Sequence, residues 1–240
     1  MDKYTLSARV YPAAIVFLPV LALGIAFSVD IKEYYHVLTA IGITSCLAFL
    51  FSHLSREFGK EKENGLWKKW GGAPTSQLLR KENNIIDPLT KEKIYSGMKL
   101  LLPESAILIE NGTAEEMEDV FRAWIRYLRG KTRETKKFQL IFKENVDYGF
   151  RRNLWAMKKL ALLIDGVAIA ACYIYVGVTI GFSDLAHYPS QFYLTLVIDT
   201  LLAILWILLI NENWVKTQAF AYAERLIESF DSVFESENTK

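Results

Sequence analysis

VYPAAIVFLPVLALGIAFSV, Val10 to Val29, is a run of 20 residues without one charged side chain. At 1.5 Å per residue it matches the ~30 Å hydrocarbon core of a bilayer. Its apolar run is longer than a signal-peptide core, contains Pro12 and Pro19, and is followed by another apolar run, so cleavage is the weaker reading. That next run, Val37 to His53 (VLTAIGITSCLAFLFSH), is shorter and more polar but also uncharged. Leu160 to Phe182 and Phe192 to Ile210 are apolar except for one aspartate each. The 52 % hydrophobic content of this 240-residue chain is thus gathered in blocks. The pattern predicts four transmembrane helices in two hairpins.

Lysine and arginine set the orientation. Of 28 such residues, all but Lys3, Arg9, Lys32, Lys216, Arg225 and Lys240, that is 28 − 6 = 22, lie between Leu54 and Lys159. Arg56, Lys60, Arg151, Arg152, Lys158 and Lys159 flank the spans, which makes both termini and the central segment cytoplasmic by the positive-inside rule. The connecting loops, Asp30 to His36 with Lys32 and Ser183 to Gln191 with no basic residue, are short. The expected layout is mainly α: a first hairpin over 1–53, a cytoplasmic α+β insertion over 54–158, a second hairpin over 159–211 and a cytoplasmic amphipathic helix over 212–240.

Several chemistries have no carrier here. Cys46 and Cys172 lie inside predicted spans, and His36, His53 and His187 are scattered at span ends, so no metal cluster is expected. There is no GxSxG elbow, Walker-type loop or HExxH pair. No catalytic residue and no cofactor are assigned, and an enzyme acting on lipid is disfavoured.

Within the central segment, "SREFGKEKEN" extends the second span as a helix and Gly65 begins a break. Pro74 and Thr75 open a helix over Ser76 to Glu82. "KIYSGMKLLLP" and "SAILIENG" read as short strands or irregular elements. "AEEMEDVFRAWIRYLR", Ala114 to Arg129, reads as a helix: it is acidic at its start, basic at its end, and apolar at intervals of three and four.

Two basic regions stand out. The window Gly65 to Asn84 holds Gly71 and Gly72, whose backbone N–H groups suit an anion, the hydroxyls of Thr75 and Ser76 at a helix start, and the charges of Lys68, Lys69 and Arg80. Trp67 and Trp70 can stack on a nucleotide base; equally, they suit the interfacial aromatic belt beside a span. From Arg122 to Lys159 there are 12 basic against 3 acidic residues, a net 12 − 3 = +9. Those nearest the third span serve topology. Arg129, Lys131, Arg133, Lys136 and Lys137 lie farther off, around Gly130, and point to a phosphate-bearing ligand.

Inside the spans, Asp165 and Asp199 have no basic residue to neutralise them, and an aspartate at a helix centre costs about 2.5–3.5 kcal/mol on insertion scales. Gln191, Thr195 and Asp199 share one face of the fourth span. Asp165, Ala168, Cys172, Tyr175 and Thr179 form a seam on the third, and Thr39, Gly42, Cys46 and His53 one on the second. These seams suit helix packing, or a pore in which Asp165, Thr195 and Asp199 face the lumen of a homo-oligomer, with a tetramer as working stoichiometry. After the fourth span, Trp214, Ala221, Leu226, Ile227, Phe230 and Phe234 form an apolar stripe that can pack on the central domain or on a neighbouring subunit.

The second half, with the basic "YGFRRNLWAMKK" entering a two-span hairpin and the amphipathic "AYAERLIESF" leaving it, resembles the two-helix SLATT-class membrane effectors of bacterial nucleotide-signalling antiphage defence. The resemblance is architectural, covers about half the chain, and is departed from by the additional N-terminal hairpin. It implies an oligomeric effector of the bacterial inner membrane, opened by a cytoplasmic nucleotide or oligonucleotide, with a nucleotide-synthesising enzyme as an expected partner. The rival reading is a non-conducting four-span sensor or scaffold.

Overall fold

The computed structural model describes residues 3–28 and 34–238. Among these residues every regular element is a helix. They form two compact units, Met1–Glu63 with Gly149–Val215, and Asn64–Tyr148 with Lys216–Lys240.

The first unit holds the apolar runs. Helix α1 (Lys3–Val16) contains one π turn over Leu6–Val10 and meets α2 (Leu18–Ser28) at a bend of 51°. The bend follows from Pro19, which has no N–H for the Ile15 carbonyl and whose ring crowds that oxygen. Phe17 tightens the junction by donating to the Ala14 carbonyl at 3.1 Å. The first apolar run is therefore two helices joined at a bend and not one continuous helix. Helix α3 (Tyr34–Trp70) covers the second apolar run and continues for several turns beyond it. The Gly65 break is overturned, since the helix passes through Gly65.

Helices α9 (Lys158–Ile180) and α10 (Ser190–Leu208) have mean hydropathies of 2.0 and 1.9 over an 18-residue window and are long enough to cross a membrane. They pack as a hairpin, with α2 against both. Counting the bent α1–α2 pair as one, the described residues provide two to three candidate spans. Lys32 lies outside the described residues, as do the side chains of His36 and Thr39.

The two ends of the α9–α10 hairpin differ chemically. Gly181, at φ +119°, stops α9 by donating to the Gly177 carbonyl. Around that turn Tyr173, Phe182, Tyr188, Phe192 and Tyr193 form an aromatic cluster, with Tyr188 and Phe192 edge to face at 4.9 Å. At the other end Lys158 donates to the Ile207 and Ile210 carbonyls, satisfying the C-terminal end of α10. Nearby, Lys62 bonds the Ala156 carbonyl, and Arg152 pairs with Glu63 at 2.8 Å beside Asn153, which donates to the Ala8 carbonyl. Gly59 leaves room for Asn153, whose Oδ1 would stand 2.1 Å from a Cβ there. Basic side chains thus gather at one end of the hairpin and aromatic ones at the other.

The second unit is built around Trp124. Helices α4 (Pro74–Leu79), α5 (Pro88–Leu101), α6 (Ser105–Asn111) and α7 (Ala114–Lys131) contribute to it, together with parts of α8 (Gln139–Ala156) and α11 (Glu212–Glu228), and with α12 (Phe230–Asn238). The unit divisions fall within α3, α8 and α11. Trp124 is fully buried, edge to face with Tyr95 at 5.2 Å, and its indole N–H donates to Ser105 Oγ. Helix α7 starts on a capping box, in which Thr113 accepts from the Glu116 N–H and Glu116 accepts from the Thr113 N–H. Leu226, Ile227 and Phe230 of the tail are buried in this same core.

The α+β expectation is overturned. "KIYSGMKLLLP" lies largely in α5 and "SAILIENG" in α6, and no strand occurs among the described residues. In α5 the buried Lys91, Ile94, Tyr95 and Met98 repeat at three and four, a helical period that short-range alternation masked.

Candidate functional site

The window from Trp67 to Arg80 forms a helix stop. Trp67, Lys68, Lys69 and Trp70 are the last residues of α3. Gly71 and Gly72 take positive φ values of +90° and +128°, and their N–H groups donate to the Lys68 and Trp67 carbonyls. The glycine amides expected to hold an anion thus close the preceding helix. Thr75 and Ser76 are buried, and the cap position before Pro74 is Ala73. The Arg80 guanidinium reaches Glu118 on α7 through Nε at 2.6 Å and Nη2 at 2.5 Å, and its Nη1 donates to the Gly71 carbonyl at 2.9 Å. Gln77 Nε2 donates to the Gly72 carbonyl. Arg80 is thereby spent on an internal tie. Trp67 is half-buried, with its indole N–H enclosed and without an acceptor among the described residues.

The second basic run is different. Arg129, Lys131, Arg133, Lys136 and Lys137 are all exposed at the end of α7 and in the turn before α8. Lys131 pairs with Glu237 at 2.7 Å and lies over the Tyr127 ring. Lys137 rests on Phe138. Arg126 is exposed on the same helix. The arrangement leaves a cationic face open to an anion in solvent.

A pocket of about 520 Å³ in the second unit escaped the sequence reading. Lys81, Lys91, Lys99, Glu92, Tyr95 and Glu110 line it. Lys91 is buried, its ammonium bonded to the carbonyls of Arg80 and Asn83 and pushed below the usual lysine range by burial. Lysine is a surface residue by type, and nothing in its local pattern marks this one as internal. Lys99 pairs with Glu110 at 3.0 Å.

In the first unit the polar span residues divide. Asp165 on α9 and Thr195 and Asp199 on α10 are 2 %, 1 % and 0 % exposed. Among the described residues, Asp165 Oδ1, Thr195 Oγ and both carboxylate oxygens of Asp199 are buried without a hydrogen-bond partner. Ala168 and Cys172 continue the buried face of α9. Tyr175, Thr179 and Gln191, expected on these seams, are exposed. Gly42, Cys46 and His53 on α3 are exposed as well, while Ser52 and Ser55 are buried there, with Ser55 Oγ donating to the Arg9 carbonyl. Among the described residues no group of three His, Cys, Asp or Glu side chains is placed to hold a metal.

No family model, no curated protein and no solved structure matches this chain.

Proposed function

We propose that this chain is an oligomeric effector of the bacterial inner membrane that passes cations, under control of an anionic nucleotide or oligonucleotide on the cytoplasmic side, in antiviral defence. The reading takes Val10 to Val29 and Val37 to His53 as a first hairpin and α9–α10 as a second, with both termini cytoplasmic. Its main support is the pair of acidic side chains, Asp165 and Asp199, enclosed in apolar helices. Carboxylates at such depth are costly, and they are characteristic of ion and proton pathways. Because both are covered within one protomer, the cation path runs through the protomer's own helix cluster and not along a ring on the oligomer axis. The ligand surface is the exposed Arg126 to Lys137 face; the Gly71–Gly72 window supports α3 and α7 structurally.

The test is current through purified protein in a planar bilayer, with and without added cyclic nucleotides and short oligonucleotides. Cation-selective current that rises with one of these ligands is expected, and neutralising Arg129, Arg133, Lys136 and Lys137 together should abolish the response. Binding should weaken steeply with salt, as phosphate contacts do. Protein that remains assembled but carries no current under any of these ligands would leave the non-conducting sensor or scaffold as the better reading.

A further inference from the structure

The environment of Asp165 and Asp199 demands a positive charge. Asp165 lies seven residues from the start of α9, and Asp199 nine residues from the end of α10. In an antiparallel hairpin these positions are about 10 and 14 Å from the same end, hence nearly level. Both carboxylates lie on buried positions of helices that pack against each other. Thr195 is one turn before Asp199 on the same buried face, and its hydroxyl oxygen is likewise enclosed without a partner. No lysine, arginine or histidine occurs in α2, and none follows Lys159 in α9 or occurs in α10. Two uncompensated carboxylates in such surroundings cost far more than an isolated polar group, so an ion or proton must accompany them.

We propose that Asp165, Thr195 and Asp199 form a binding site for one small, hard monovalent cation of the sodium class inside a single protomer. The available donors are all oxygens, as hard cations prefer. With one of the two carboxylates protonated the site carries a single negative charge, which matches a monovalent ion, and a dry apolar setting disfavours Mg²⁺, which keeps several of its waters. One carboxylate is balanced by the ion and the other by a proton from water. An apolar groove of about 360 Å³ between α2 and α10, walled by Leu21, Ile25 and Leu202, borders Thr195, whose hydroxyl is itself enclosed. The inference rests on the reading that α9 and α10 cross a membrane, and does not require that the protein conduct.

The experiment is equilibrium binding of radiolabelled sodium to the full chain, purified in detergent and monodisperse, in a choline chloride background. Saturable binding of one sodium per chain is expected, displaced by unlabelled sodium or lithium and not by choline. Asp199→Asn and the near-isosteric Thr195→Val should each weaken it roughly tenfold or more. Thr179→Val should leave it unchanged, because Thr179 is exposed and its hydroxyl is bonded to the Tyr175 carbonyl. Absence of saturable sodium binding by the folded parent overturns the site, as does binding that survives both Asp199→Asn and Thr195→Val. Displacement by micromolar calcium or magnesium overturns the monovalent assignment. Sodium binding without bilayer current keeps the site and sinks conduction; current without saturable sodium binding does the reverse.

Discussion

Gly97 in α5 faces the buried ring of Phe230 so closely that replacing it with alanine should reverse sign with the partner's size. A Cβ at Gly97 would stand 2.3 Å from Phe230 Cζ and 3.1 Å from Cε2 of both Phe230 and Phe234. The nearest ring must retreat by about an ångström to reach the ~3.5 Å of ordinary carbon contact. Phe230 is 1 % exposed and stacked with Phe234 at 5.4 Å, so the displacement spreads into a filled core. Overpacking of this kind costs about 1–3 kcal/mol, against about 0.5–1 kcal/mol gained by removing a glycine from a helix interior. Gly97→Ala should therefore destabilise the second unit by about 1 kcal/mol. Phe230→Ala alone should cost about 3–5 kcal/mol. With the ring absent, Gly97→Ala should become stabilising by about 0.5–1 kcal/mol. Hydrogen–deuterium exchange of α5 and α12 in the detergent-solubilised full chain reads this locally, whatever the fate of the membrane helices. Slower exchange on Gly97→Ala in the parent, or continued loss of protection in the Phe230→Ala background, would refute the packing argument.

Three further outcomes follow from the polar contacts. Glu63→Gln removes the acidic partner of Arg152, which is 7 % exposed, and should destabilise the first unit by about 3 kcal/mol, seen as a lower melting temperature in detergent. Gly72→Ala should cost about 1–2 kcal/mol through its φ of +128°, with a Cβ only 2.7 Å from Arg80 Nη2, and should accelerate exchange at the end of α3. The Asp87 and Glu116 carboxyls are held below their ordinary range by hydrogen bonds at the starts of α5 and α7, so their stabilisation is complete above about pH 5 and is lost as pH falls through their lowered values. Thr113→Ala should flatten that acid loss in α7, measured by exchange at pH 3.5 and 6.

The helices with a continuous physical signal were the legible part. Ala114 to Arg129 is readable because charge polarity and an apolar stripe agree, and α9 and α10 because length and hydropathy suffice. The bend at Phe17 was less so: Pro19 was visible, but proline is tolerated in spans, and whether a helix breaks depends on its neighbours. The α5 and α6 segments misled because "KLLL" and "AILI" are short apolar runs, in which a strand and a buried helix look alike. At the candidate site, Asp165 and Asp199 stand out by their cost in hydrocarbon and Thr195 by the face it shares with Asp199, and neither signal says whether they face a lumen or the protomer's interior. The glycine pair was read as an open cradle, because sequence shows which residues can donate and not which donors are already engaged. Lys91 and its pocket require the α4–α5 packing to exist before they can be seen.

The bend between α1 and α2 also bears on the order of synthesis. Its two arms, Lys3–Val16 and Leu18–Phe27, are about 21 and 15 Å long, each too short to cross a ~30 Å core alone. The helices that α2 packs against begin at Lys158, 130 residues after Ser28. At about 5–20 residues per second that interval is about 6–26 s. The first segment is thus complete long before its packing partners exist, and α2 gains its contacts with α9 and α10 only once the second hairpin has been made. The contacts of α2 are among the last of the first unit to form, although its residues are among the first to be made.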